Sequence, residues 1–152
     1  QKVDICIFRP FNVFGPGMPR NDYRVFPRFF SSIKDKKPIT IFKNGNQTRT
    51  FCYVTDAITA MFIVTLGGKN FVYNIGNNKP ELNMNTLHKT MEASLKKKIK
   101  AINISYPKNY PQVEPQRRCP DIGKLIKEFN YKNKVTINDA IIRFHYWTSM
   151  YY

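Results

Sequence analysis

The stretch Val3-Asp4-Ile5-Cys6-Ile7-Phe8, continuing as Arg9-Pro10-Phe11-Asn12-Val13-Phe14-Gly15-Pro16-Gly17-Met18-Pro19, decides the fold class. Its first part is an apolar run with β-branched residues, the pattern of a strand buried on both faces. Its second part is rich in Pro and Gly, which fix or free φ, so the chain leaves the strand end as a loop. A strand of this kind needs parallel neighbours and covering helices. Because the sequence runs from Gln1 almost directly into it, further strands of the same sheet are expected on its N-terminal side. In open α/β sheets ligands sit outside strand ends, which makes the loop after Phe8 the first place to seek a site.

Downstream, strands and helices alternate. Asp22 is positioned to cap a helix carrying Val25, Phe26, Phe29, Phe30 and Ile33 at helical spacing, with Pro27 tolerated in the first turn and an end near Lys36-Lys37-Pro38. Ile39–Phe42 reads as a strand, Lys43-Asn44-Gly45-Asn46 as a turn, and Thr50–Val54 as a second strand. Thr55 or Asp56 is expected to cap a helix over 57–66, closed by Gly67-Gly68. A strand over 71–75, a helix near 84–95 and a strand over 102–106 follow, then a Pro-rich loop to Pro120. Asp121 opens a helix holding Ile122, Leu125, Ile126 and Phe129. A last helix near 137–151 lines up Ile137, Ile141, Phe144, Trp147 and Tyr151, with Thr136 as its cap. The order predicts an α/β protein without internal repeats, organised as one unit over 1–152.

Composition narrows the function classes. A chain of 152 residues with 42% hydrophobic and 14% aromatic residues builds a core without disulfide staples and is not disordered as a whole. No apolar run approaches the ~20 residues that span a bilayer, so a membrane role is not expected. The three cysteines form no C-x-x-C pair, which fits a reducing cytoplasm and signals neither a disulfide framework nor a zinc site. With 25 Lys+Arg against 10 Asp+Glu the formal charge is +15. Such a balance raises nucleic-acid binding as one reading, but no RNP, KH, helix-turn-helix or zinc-finger pattern accompanies it, and a solvated lysine-rich face is the plainer account. His88 and His145 fall on predicted helices, read as surface histidines, and suggest no metal site. No G-x-S-x-G, P-loop or G-x-G-x-x-G occurs. Arg9, Arg24, Arg49, Arg117 and Arg118 fall at element ends or in loops, where several guanidinium forks converging would hold a phosphorylated ligand.

Five blocks then follow one order: Arg9–Met18, Pro38–Phe42, Asn46-Gln47-Thr48-Arg49-Thr50-Phe51-Cys52-Tyr53-Val54, Tyr73-Asn74-Ile75-Gly76-Asn77, and Gln116-Arg117-Arg118-Cys119-Pro120-Asp121. Together they resemble the C-terminal half of extended short-chain dehydrogenases/reductases of the NAD-dependent epimerase/dehydratase family, most of all its UDP-glucuronate decarboxylase-type members. The resemblance covers essentially the whole chain. It implies the final strands of a Rossmann-like parallel sheet plus the small substrate-binding domain, with the N-terminal NAD-binding part outside this sequence. It also implies a cytoplasmic protein that forms a homodimer when complete.

What the resemblance implies about residues can be stated position by position. Asn12 matches an asparagine that binds the sugar nucleotide near its diphosphate, and Arg49 and Arg118 match two arginines that clamp the diphosphate. Thr40, Ile41 and Phe42 match a strand whose backbone pairs with the uracil edge. Tyr110 falls in a loop that closes over the sugar. Pro10 and Val13 match positions lining the nicotinamide of NAD, and Arg24 one near the cofactor. The family's catalytic Tyr-x-x-x-Lys pair is not found in this sequence, so no catalytic residue is assigned and the chain alone is expected to be inactive. Gly17 stands where the decarboxylases usually carry Arg, and Val13 where they often carry Thr, which leaves decarboxylation, epimerisation and dehydration open. The rival readings are a non-catalytic truncated binding or interaction module and, third, a basic nucleic-acid-binding domain.

Overall fold

The computed structural model describes residues 3, 5–67, 72–107 and 115–152. In chain order the elements are β1 (Ile7–Pro10), β2 (Val13–Phe14), α1 (Val25–Lys34), β3 (Ile39–Phe42), β4 (Thr48–Arg49), β5 (Cys52–Tyr53), α2 (Val54–Leu66), β6 (Val72–Ile75), β7 (Leu82–Asn83), α3 (Met84–Leu95), β8 (Ala101–Ile104), β9 (Arg117–Arg118), α4 (Gly123–Phe129) and α5 (Ile137–Tyr151). The strands pair as β1 with β6, β2 with β5 and β3 with β8, all parallel. β4 runs antiparallel to β7 and parallel to β9. Parallel pairs joined through helices are the expected α/β arrangement.

Two apolar clusters hold these pieces. In the larger, Phe14 stacks on Phe26 at 3.6 Å between ring centroids, and Phe144 from α5 meets Phe14, Phe26 and Phe30 edge-on. In the smaller, α2 and α4 pack on β6 through Ala57, Ala60, Val64, Tyr73, Ile75 and Leu125. Asp56 ties the two together. Its buried carboxylate accepts the main-chain N–H groups of Lys134 and Val135 at 3.1 and 2.9 Å, fixing the entry to α5.

Helices α1, α3 and α5 match their sequence patterns, and Thr136 caps α5 by accepting from the N–H of Asp139. Several local expectations are corrected. The first strand begins at Ile7 and is not buried on both faces: Val3, Ile5 and Ile7 are 75%, 63% and 52% exposed. The reason is its place in the sheet, since among the described residues it has one neighbour, β6, and the helices pack on β6. Asp22 does not cap α1. Its carboxylate holds the N–H and guanidinium of Arg24, and Arg24 itself stands at the N-cap. The strand expected over 50–54 shortens to Cys52–Tyr53, which joins β2, because Phe51 turns into the aromatic cluster, 5.0 Å from Phe26, and Val54 starts α2; a separate strand not expected from the sequence, Thr48–Arg49, joins β7 and β9. Neither Thr55 nor Asp56 caps α2, which starts after Tyr53, because the Asp56 carboxylate is committed to 134–135. α4 starts at Gly123, after Asp121 has accepted the Gly123 N–H.

The two histidines are not surface residues. His88 Nε2 lies 2.7 Å from the carbonyl of Ile99, and His145 is half-buried beside the Phe30 ring. Among the described residues, no group of three or more His, Cys, Asp or Glu could hold a metal, and no helix is long and apolar enough to cross a membrane.

Candidate functional site

A cleft of about 270 Å³ opens where the loop after β1, the N-terminal part of α1, the end of β3 and the β4–β9 pair come together. Asn12 stands in the left-handed region at φ 45°, which Asn tolerates better than most residues. From there its Nδ2 donates to the carbonyls of Thr50 at 2.8 Å and Arg118 at 3.3 Å. One amide thus staples the β1 loop to both strands that carry arginines. Val13 follows on the cleft wall and Arg24 stands at the mouth. Hydrogen bonding to Arg24 holds the Asp22 carboxyl below its ordinary range, so this ion pair stays charged in neutral solution.

Arg49 and Arg118 are register partners across the parallel β4–β9 pair, and both line the cleft. Their surroundings differ. Arg49 is only 7% exposed, and its guanidinium donates to the carbonyls of Thr48 and Pro115, each at 2.7 Å, and to Gln116 at 3.3 Å. Arg118 is exposed. Its neighbour Arg117 points the other way, as alternation along a strand requires, and makes a fork with Glu81 at 2.8–3.1 Å. Hydrogen bonds from Thr48 and then Arg117 hold the Glu81 carboxyl below the usual range.

The base-side strand is ordered by its neighbour. Ile39 N–H donates to the Lys100 carbonyl at 2.9 Å and Lys43 N–H to the Ile104 carbonyl at 2.8 Å. Alternation along β3 therefore directs the main chain of Ile41 at β8 and that of Thr40 and Phe42 at the opposite edge, beside α1. Phe42 lines the cleft. β3 closes on a turn that requires Gly45 at φ 71°, where a Cβ would meet Ile41 and Asn85 at 2.8–2.9 Å.

The structure brings together Asn12, Val13, Arg24, Phe42, Arg49 and Arg118 around one cleft. Thr40 and Ile41 lie in the adjoining strand without lining it, and Pro10 ends β1 paired with Ile75. Tyr110 lies outside the described residues. Sequence reading missed Arg28, whose guanidinium carbon sits 3.9 Å from the Phe42 ring centroid and which also lines the cleft. The signal was present: a charged residue embedded in Phe26-Pro27-Arg28-Phe29-Phe30 on a core-facing helix. Of the two residues expected near a dinucleotide, Val13 lines the cleft and Pro10 does not, and no Gly-x-Gly-x-x-Gly turn for a pyrophosphate occurs in this sequence.

The family model described as NAD dependent epimerase/dehydratase matches residues 1–76, half of the 152. The chain belongs to the NAD dependent epimerase/dehydratase family. Within this family it is 32% identical over 139 residues to UDP-glucuronic acid decarboxylase 6 of Arabidopsis thaliana, covering 91% of this chain and 39% of that protein. It is 30% identical over 148 residues to UDP-glucuronate 4-epimerase of Thermodesulfobacterium geofontis (strain OPF15), covering 96% and 43%. The crystal structure of UDP-glucuronic acid 4-epimerase from Bacillus cereus, in complex with UDP-glucuronic acid and NAD, matches with a TM-score of 0.84 at 27% identity, covering 99% of this chain and 46% of that one. The chain thus spans less than half the length of these family members.

Proposed function

We propose that this chain is the nucleotide-sugar-binding part of an NAD-dependent decarboxylase, epimerase or dehydratase acting on UDP-sugars. The observation that carries the reading is the register pairing of Arg49 with Arg118 on the rim of one cleft. The exposed Arg118 fork, backed at the adjacent register position by the buried charge of Arg49, matches a diphosphate, which presents several charged oxygens over a short span. The names of the three relatives described above, each an enzyme of UDP-glucuronic acid, agree with this.

In the complete enzyme NAD supplies the hydride acceptor for a transient oxidation at sugar C4. This chain's residues bind and orient. Arg49 and Arg118 hold the diphosphate, Asn12 fixes the spacing between their strands, and the main chain of Thr40 and Phe42 faces the base. Val13 and Pro10 form the wall toward the nicotinamide, with Arg24 at the mouth. Holding the far end of the substrate rigidly is how binding energy away from the reacting carbon is used for catalysis.

Calorimetry with UDP-glucuronate, UDP and GDP-mannose at two salt concentrations tests the reading. Saturable, uridine-preferring binding that Arg118→Ala weakens about tenfold supports it. Salt-steep binding without base preference overturns it in favour of a general polyanion surface. The sequence contains no Tyr-x-x-x-Lys pair, so binding without NAD-dependent turnover is the outcome expected of this polypeptide by itself.

A further inference from the structure

We infer that Glu81 is a positioning residue for the cleft: its carboxylate clasps β9 from the face opposite the cleft and so holds Arg118 on the rim, where a diphosphate meets it. Resting on the nucleotide-binding reading above, this role falls to a residue outside the cleft lining and outside the sequence blocks that carry the family likeness. The sheet that bears the two arginines is small. β4, β7 and β9 contribute two residues each, and β9 is its edge. Strands this short gain little from main-chain pairing alone. The Thr48 N–H donates to the Gln116 carbonyl at 2.8 Å and the Thr50 N–H to the Arg118 carbonyl at 3.3 Å, and Asn12 reaches that same carbonyl at 3.3 Å.

Side chains on both faces complete the hold on β9. On the cleft side, the buried Arg49 guanidinium donates to the carbonyls of Pro115 and Gln116, just ahead of the strand. On the other side, Thr48 and Arg117 are register partners, and alternation puts Glu81, two residues before Asn83, on their face. The Glu81 carboxylate accepts from the Thr48 hydroxyl and from Nε and Nη2 of Arg117 at 2.8–3.1 Å. One carboxylate thus joins the chain entering β7 to both other strands of the sheet. With Arg49 turned inward, the exposed fork on the rim is that of Arg118, and its place is the place of β9. Charge and clasp then predict opposite signs. By charge alone, removing a carboxylate beside an anion site strengthens binding of the anion. As a clasp, its removal frees β9, takes Arg118 off its rim position and weakens binding.

The test is UDP binding by calorimetry to the wild-type chain, Glu81→Gln, Arg118→Ala and the double variant, with urea midpoints as the check on folding. Gln keeps the size of Glu81 but removes the charge and turns an amide donor toward the donors of Arg117. Glu81→Gln is expected to weaken UDP about fivefold in the wild-type background and by less than about twofold in the Arg118→Ala background, where no fork is left to place. A general loosening of the protein would weaken both backgrounds alike. Unchanged or tighter UDP binding in Glu81→Gln, or an equal loss when Arg118 is already Ala, overturns the clasp and leaves the nucleotide reading intact. Should Glu81→Gln not fold, Arg117→Gln decides from the other end of the fork: a loss seen only while Arg118 is present supports the clasp, and a loss that adds to that of Arg118→Ala overturns it by making Arg117 a second contact to the anion. A wild-type chain that binds no UDP overturns both readings.

Discussion

The aromatic cluster and the chain running into β1 are built from the same kinds of residue and end in opposite states. Around Phe144, side chains from β2, α1 and α5 close on one another, and Phe26, Phe29, Phe30 and Ile141 lose nearly all contact with water. At and just before β1, Val3, Ile5 and Ile7 are equally apolar and stand in solvent. Hydropathy sets what a segment would gain by burial, whereas its neighbours decide whether the gain is collected. The cleft draws its floor from the closed region, through Phe14, Phe26 and Phe51, and its rim from the β1 loop. Substitutions in the two regions should therefore separate sharply.

The largest contrast is expected from truncating one core side chain on each side. Phe144→Ala should cost about 3–5 kcal/mol, because it removes a fully buried ring that packs against the rings of Phe14, Phe26, Phe30, Trp147 and Tyr152. Ile7→Ala should stay within roughly 0.5 kcal/mol, as an exposed site does. Urea midpoints at constant slope measure both. Comparable losses would show that β1 is covered in solution and would erase the contrast. Asp56→Ala sharpens the comparison, since Asp56 links the two clusters. It should cost on the order of 1–3 kcal/mol by leaving the N–H groups of Lys134 and Val135 without their acceptor. A fall in cooperativity as well as midpoint would show that the carboxylate couples the regions.

The two arginines divide in the same way on a smaller scale. Arg49→Ala removes donors from three main-chain carbonyls as well as a charge from the rim, so it should lower both stability and nucleotide affinity. Arg118→Ala, at an exposed position, should lower affinity about tenfold while moving the urea midpoint by roughly 0.5 kcal/mol or less. Equal effects of the two on stability would contradict the division.

What could be read in advance follows the range of the interactions. α3 and α5 were legible to the residue because helical periodicity and a Thr136 cap are local properties. The convergence of Asn12, Arg49 and Arg118 was legible only through the ordered blocks, because no local pattern joins residues so far apart in sequence. β4 was not legible, nor the shortening of the 50–54 strand to β5: Thr48–Arg49 is ordered by pairing with β7 and β9, and Cys52–Tyr53 by pairing with β2, all of which lie elsewhere in the chain. Asp22 and Asp56 look like caps by position, yet Asp22 is taken up by the guanidinium of Arg24, which itself stands at the N-cap, and Asp56 by main-chain N–H groups of 134–135. Arg28 could have been found from its sequence alone, as a charge among four core positions on one helix.

The smallest effect expected is a pH dependence that belongs to the aromatic region alone. Burial, and then the nearby charges of Lys97 and Lys34, lower the pKa of His145 below its ordinary 6.5. The unfolded chain therefore binds the proton more readily than the folded one. The stabilisation from a neutral His145 is complete above the unfolded value and declines as pH falls through 6.5 toward the lower folded value. Urea midpoints at pH 7.5 and 5.5 should differ in that direction, and His145→Gln should reduce the difference. On the β1–β6 side the Tyr73 hydroxyl, pushed up to about 12 by burial first and Glu128 second, stays neutral throughout this range. A midpoint that rises on acidification, or a pH difference that His145→Gln leaves unaltered, would place the titrating group elsewhere in the protein.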